Sequence, residues 1–285
     1  MTKIQTPFLI PFNEHIDKYI DFENRQKCSG QKQNINDSFY RLYKFLLFDE
    51  EYKSLQLKSK MMYTLIVDTA IYRSKNGRYQ KDRNGNHYIE FDTDYFKEKL
   101  DISVNSVTKF KKELVKCGLI HVVSQRGKQR IYLKSPNISK DKYCYINKQT
   151  NTLKYTYIEL PKFLFDTRFV DITLEAALIY SMLREKQSLS IENITPSKDC
   201  TDIHGDVFTK YSHKYFVEAL NIQSKTTIKK HINILVKQNL LLVSNIGLNS
   251  GQQIGHQNCY YILEPKTEFT ESDTTNIDDI NWNNL

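Results

Sequence analysis

One pattern of apolar residues runs through this chain twice. Leu42-Tyr43-Lys44-Phe45-Leu46 has its counterpart in Leu160-Pro161-Lys162-Phe163-Leu164, and Tyr52, Leu57 and Tyr63 have theirs in Phe169, Leu174 and Tyr180. Tyr95-Phe96, Leu100 and Ile102 return as Tyr215-Phe216, Leu220 and Ile222. Leu114-Val115-Lys116 with Leu119-Ile120 returns as Leu235-Val236-Lys237 with Leu240-Leu241. The four blocks keep one order, and their offsets drift only from 117 to 121 residues. The matched positions are mostly apolar, so the two copies share a core and are free to differ on their surfaces. Each copy is long enough to fold alone, which makes this a duplicated domain rather than a solenoid.

Charge separates the copies. Residues 39–134 carry 20 Lys and Arg against 11 Asp and Glu, while residues 155–265 carry 11 of each. The stretch 135–154 adds a net +3, and residues 266–285 carry a net −4. A basic domain attracts phosphate and a neutral one need not, so one fold is expected to do two jobs. Other classes fall away. No run of about 18 apolar residues exists to span a membrane. The opening Met1-Thr2-Lys3-Ile4-Gln5-Thr6-Pro7 lacks the apolar core of a signal peptide. The 5 cysteines are scattered with no C-x-x-C pair, which argues against zinc and disulfide frameworks and for a cytoplasmic chain with reduced thiols.

Local patterns order the elements. Ser59 to Tyr72 has Met62, Leu65 and Ile66 at helical spacing. Tyr88-Ile89-Glu90-Phe91 alternates as a strand, and Asp92 or Thr93 caps a helix holding Tyr95, Phe96 and Leu100. Ser103 to Cys117 reads as a third helix with Val107, Phe110 and Leu114 inward and Gly118 as its stop. Two strands follow, residues 119–123 and 130–133, around the turn Gln125-Arg126-Gly127-Lys128-Gln129. Helix, strand, helix, turn, helix and hairpin is the order of a winged helix-turn-helix. The second copy repeats it with helices over 174–185, 212–220 and 224–238 and strands over 241–244 and 260–263. The expected fold is α+β: two tandem winged helix-turn-helix domains, with a flexible N-terminal arm and an acidic C-terminal tail. The boundaries are an arm at 1–38, a first domain at 39–134, a linker at 135–154, a second domain at 155–265 and a disordered tail at 266–285.

In such a fold the third helix enters the major groove and the hairpin reaches the phosphate backbone. With Val107, Phe110 and Leu114 inward, the outer face holds Asn105, Ser106, Thr108, Lys109, Lys111 and Lys112. Asn and Lys address base edges, and Ser and Thr hold phosphates. Arg126, Lys128 and Arg130 on the first hairpin are spaced for phosphate or minor-groove contact. The plainer reading is a solvated helix face and an ordinary charged hairpin. The cations favour DNA because they fall on the two elements that should touch it, in the copy that carries the excess. The second copy offers Lys225, Thr226, Thr227, Lys229 and Lys230 on its third helix. That face binds DNA weakly, covers a second half-site or pairs subunits.

Catalysis has no support. The His residues form no H-x-H or H-E-x-x-H pattern, no phosphate-binding G-x-x-x-x-G-K-[ST] loop exists, and no metal or other cofactor is expected. At the N-terminus, Phe8-Leu9-Ile10-Pro11-Phe12 and Ile16, Tyr19 and Ile20 suggest a short amphipathic helix. The tail sets Ile280, Trp282 and Leu285 among acids. Such a segment either docks in a protein partner's groove or folds back on the basic domain.

Residues 39–46 with Asp49-Glu50-Glu51-Tyr52-Lys53-Ser54-Leu55 resemble the opening of RepA_N-type replication initiators, which belong to plasmids of low-GC Gram-positive bacteria. Ser74-Lys75-Asn76-Gly77, Asn84-Gly85-Asn86-His87-Tyr88-Ile89, Lys112-Glu113-Leu114, Gly118-Leu119-Ile120 and Arg130-Ile131-Tyr132 extend the resemblance over roughly 39–134. Tyr43 stands where that family has proline, and Pro161 restores it in the second copy. The resemblance implies a dimeric winged-helix protein that binds repeated double-stranded sites at an origin and recruits host replication proteins. Two rivals stay open: a transcriptional repressor on the same fold, and a protein-interaction module acting on a host machine.

Overall fold

The computed structural model of the chain describes residues 39–75, 80–83, 85–125, 128–147, 151–165, 169, 171–192, 200, 207–222, 224–244 and 258–263. The expected arm and tail, Arg126 and nearly all of the second hairpin loop lie outside them. The described residues divide into two compact units, one from Tyr40 to Tyr157 and the other from Ile158 onward together with Phe39.

In the first unit, β1 (Phe39–Tyr43) leads into a single turn, α1 (Phe45–Phe48), and then the long α2 (Leu57–Lys75). Met61, Met62, Tyr63, Leu65, Ile66 and Val67 are all buried. Such all-round burial makes α2 the central element rather than a surface helix. A short β2 (Gln80–Lys81) and β3 (His87–Glu90) precede α3 (Thr93–Leu100) and α4 (Val104–Lys116). Asp92 accepts the Asp94 amide at the start of α3, and Asp101 ends it at φ 47°. Ser103 Oγ accepts the Ser106 amide (3.3 Å) at the start of α4. Gly118, at φ 75°, ends α4, and the Leu119 amide returns to the Leu114 carbonyl (3.1 Å). Strands β4 (Ile120–Gln125) and β5 (Lys128–Leu133) complete an antiparallel sheet in the order β2-β3-β5-β4. Ile131 pairs with Ile89 on one side and Val122 on the other, and is itself fully buried.

The stretch expected as a linker carries structure of its own: α5 (Lys140–Tyr143), then the hairpin of β6 (Cys144–Asn147) and β7 (Thr152–Tyr155). Tyr143 is buried, and the Thr156 amide donates to its carbonyl (2.8 Å). Tyr155 meets Tyr43 edge-on at 5.3 Å, and the Asn137 amide donates to the Tyr52 hydroxyl (2.8 Å). Aromatic contacts far apart in sequence hold this segment, and no local composition rule reports them.

The second unit repeats the scheme. β8 (Tyr157–Pro161) runs into a 3-10 turn (Lys162–Phe165), followed by α6 (Leu174–Glu192), β9 (Thr209–Lys210), α7 (His213–Leu220), α8 (Lys225–Lys237), β10 (Leu241–Ser244) and β11 (Cys259–Ile262). The sheet is antiparallel in the order β10-β11-β9. α6 packs on α8 and β11, as α2 packs on α3 and α4. α6 extends beyond the expected end at Glu185. Buried Gln187 in its last turns donates to the Val207 carbonyl (3.3 Å) and accepts the Ile262 amide (3.2 Å). The chain is thus mixed α+β, with several small antiparallel sheets.

Candidate nucleic-acid interface

α4 and α8 start and stop alike. Ser224 Oγ accepts the Thr227 amide (3.2 Å), as Ser103 accepts that of Ser106. The hydroxyls of Ser103 and Ser106 lie 3.0 Å apart, and those of Ser224 and Thr227 lie 2.9 Å apart. Asn239, at φ 54°, ends α8 where Gly118 ends α4. The inward faces agree too: Val107 and Leu114 are buried in α4, and Ile228 and Leu235 in α8. These paired caps and core contacts fix the N-terminal turn of each helix, whose backbone donors and outward side chains are what a duplex would meet.

On α4, Asn105, Thr108, Lys109 and Lys112 are exposed and Ser106 is half-buried. Glu113, the helix's one acid, is turned away. It accepts the Gln56 amide (3.4 Å) and the Ser59 hydroxyl at the start of α2. The outer face of α4 is therefore cationic and polar with no carboxylate on it.

Lys111 departs from expectation. It was expected on the outer face, yet it is buried, and its Nζ donates to Gln129 Oε1 of β5 (2.5 Å). Burial lowers its pKa. At one residue per 100° of helix, Lys111 falls on the edge between α4 and the hairpin, and the hairpin covers it. Arg130 is also engaged. Its Nε lies 3.4 Å from Glu90 Oε1 on the neighbouring strand, and its guanidinium sits 4.4 Å over the Tyr88 ring. Both were expected as DNA contacts, and both act first inside the unit. Lys128 has its backbone in β5, and Arg126 lies outside the described residues.

On α8, Lys225, Thr226, Thr227, Lys229 and Lys230 are all exposed, and the helix contains no Asp or Glu. His213, at the start of α7, lies beside this face. Its pKa is lowered, first by burial and then by Lys225 and Lys229. Its Nε2 sits 3.1 Å from the Asn258 amide, which donates to the neutral ring.

Gln129 and Asn258 were not singled out in the sequence. Each ties its hairpin to a helix, through Lys111 in one unit and His213 in the other. Only alignment of the two copies through their hairpin registers exposes the correspondence. Among the described residues, no three His, Cys, Asp or Glu side chains gather as metal ligands would. No described helix is long and apolar enough to cross a membrane.

The chain is similar to several known proteins. A 41 kDa protein of Lactobacillus helveticus is 35% identical over 106 residues, which are 34% of this chain and 30% of that protein. The chain thus matches less than a third of that relative's length. Two solved chains, an N-terminal domain of a DNA-binding protein and one from a Rep–DNA complex, are each 27% identical. Each aligns over 47% of this chain and 92% of its own length, with a TM-score of 0.35. An MDR initiator structure, also 27% identical, covers 39% of this chain and 90% of its own, with a TM-score of 0.32. The family described as the N-terminus of replication initiator protein A (RepA) matches residues 38–146 and 156–273, most of the sequence. With that extent of match, the chain belongs to the RepA_N replication initiator family.

Proposed function

We propose that the chain is a sequence-specific, non-enzymatic DNA-binding replication initiator of a plasmid or related mobile element, built from two tandem winged helix-turn-helix domains. The observation that carries this reading is the outer face of α4 in a member of this family. Asn105, Thr108, Lys109 and Lys112 stand exposed behind a serine-capped N-terminus, and the helix's one acid points away. Asn105 and Lys109 read base edges in the major groove, while Ser106 and the free amides of the first turn hold a phosphate. Arg126 and Lys128 on the hairpin add backbone contacts. Lys111 ties the hairpin to α4, and Arg130 ties it to β3.

Ile280, Trp282 and Leu285 supply the apolar side of a contact with a host replication protein, with Asp278 and Asp279 beside them. Deleting residues 266–285 is expected to leave DNA binding unchanged and to abolish replication of a plasmid that depends on the chain.

Footprinting of the full chain across its own coding sequence and flanking DNA, at moderate salt, tests the reading. Protection of tandem repeats is the expected result. A single protected palindrome over a promoter makes the chain a repressor, and sequence-blind binding alone overturns both.

A further inference from the structure

We propose that one chain reads an asymmetric, two-part DNA site, with α4 on one half and α8 on the other, so that the two halves differ in sequence. The inference rests on the DNA-binding reading above and adds what the second unit is for.

The scaffolds of the two helices match position for position at an offset of 121 residues. The same hydroxyl caps open them at Ser103 and Ser224, left-handed residues close them at Gly118 and Asn239, and Val107 and Leu114 answer Ile228 and Leu235. Side chains at corresponding positions therefore project from equivalent points on equivalent helices. The exposed side chains agree only in part: Lys109 recurs as Lys230, but four other pairs differ. Val104 and Asn105 correspond to Lys225 and Thr226, Thr108 to Lys229, and Lys112 to Asn233. All eight are exposed. An asparagine offers both a donor and an acceptor and suits adenine. A lysine offers only donors and suits the N7 and O6 acceptors of guanine. A threonine at the asparagine's place makes neither bidentate contact. Two such helices in equivalent grooves ask for different bases.

The neutral charge of the second unit does not weigh against this. Three of its lysines, Lys225, Lys229 and Lys230, lie on the exposed face of one helix that has no carboxylate. His213 beside them is held toward its neutral form by burial and by two of these lysines. Cations gathered without counter-charges on their own helix repel one another until an anion arrives, and a phosphate backbone is such an anion. Because both helices belong to one polypeptide, the second contact is intramolecular once the first is made. A face of modest affinity then suffices.

The test is selection of duplexes from a random library by the full chain at moderate salt, followed by measurement of the mass of the complex. The expected product is a bipartite motif with unlike halves, bound by one chain per duplex. Asn105→Ala should relax sequence preference in one half only. The pair Lys229→Ala with Lys230→Ala should relax it in the other half only, and each variant should bind the selected duplex roughly five- to a hundred-fold more weakly. These positions are exposed, so circular dichroism melting should be unchanged. A perfect palindrome holding two chains overturns the proposal, as do α8 variants that leave affinity and both halves unaltered. Failure of the underlying DNA-binding reading looks different: the wild-type chain then enriches no motif at all.

Discussion

Lys111 of α4 donates through Nζ to Gln129 Oε1 of β5 across 2.5 Å, so the helix and the hairpin proposed to meet DNA are joined by one part-buried bond. A lysine in the middle of a cationic run is thus engaged inside its own unit. Lys111→Met keeps the stem and loses the bond. It is expected to weaken DNA binding while leaving the slope of log K against log salt unchanged, because no phosphate contact is lost. Titrations at four or five salt concentrations decide this. A slope reduced by about one unit would make Lys111 a phosphate contact after all.

Lys109 and Lys112 are the contrasting pair, exposed on the same helix. Lys109→Ala and Lys112→Ala should each flatten the salt dependence by up to about one unit per lost phosphate contact. Both variants should melt nearly like the parent chain, since surface substitutions contribute within about 0.5 kcal/mol and Lys109 touches only the Phe110 ring, 5.9 Å from its centroid. If neither change moves the slope, α4 is not on the backbone.

Glu113 links the helix layer from the inside, accepting the Gln56 amide and the Ser59 hydroxyl. Glu113→Ala leaves both donors without that acceptor and should cost about 1–3 kcal/mol in urea unfolding. In the second unit Ala176 and Ile234 occupy the corresponding positions, and Thr173 Oγ1 caps α6 by accepting the Ala176 amide (3.2 Å). Ser59→Ala with Glu113→Ile should therefore cost less than the sum of the two single changes. Strict additivity in that double-mutant cycle would deny the coupling.

Lys60 sets a pH dependence. It is buried, its Nζ donates to the Lys53 carbonyl (2.8 Å), and burial, opposed in part by Glu113, holds its pKa down to about 8 from 10.5. Between those values the unfolded chain binds more protons than the folded one, so stability rises with pH. Tyr43 and Tyr95, pushed up by burial to about 12 from 10.0, have the opposite sign. The stability they lend is whole below pH 10 and is lost as pH climbs toward 12. Urea unfolding across pH 7 to 11 should therefore show stability rising from about pH 8 and turning down above about 10. Lys60→Met should shrink the rise, to which Lys111 and Lys186 also contribute through their lowered pKa values, and keep the fall. A rise left undiminished by the substitution belongs to other groups.

Local rules carried much of this protein. Most of the helices followed from apolar spacing and from the cap expected at Asp92 or Thr93, although α6 runs past its expected end. Those signals are short-range and act through the nearest turn of backbone. The duplication, and with it the correspondence of α4 and α8, was legible because the buried positions of a shared core keep their character in both copies. The fate of the three-lysine run in α4 was not legible in that way. Lys109, Lys111 and Lys112 look alike in one dimension, and a buried Lys111 depends on Gln129, 18 residues away on a strand. Arg130 likewise reads as a free cation until β3 brings Glu90 and Tyr88 beside it. Residues 137–155 look like a polar linker until Tyr43, Phe45 and Tyr52 gather around them. By itself the sequence determined which elements form and which faces they bury. Only the tertiary structure decided which charges stay in water, because exposure depends on whatever distant segment covers a side chain.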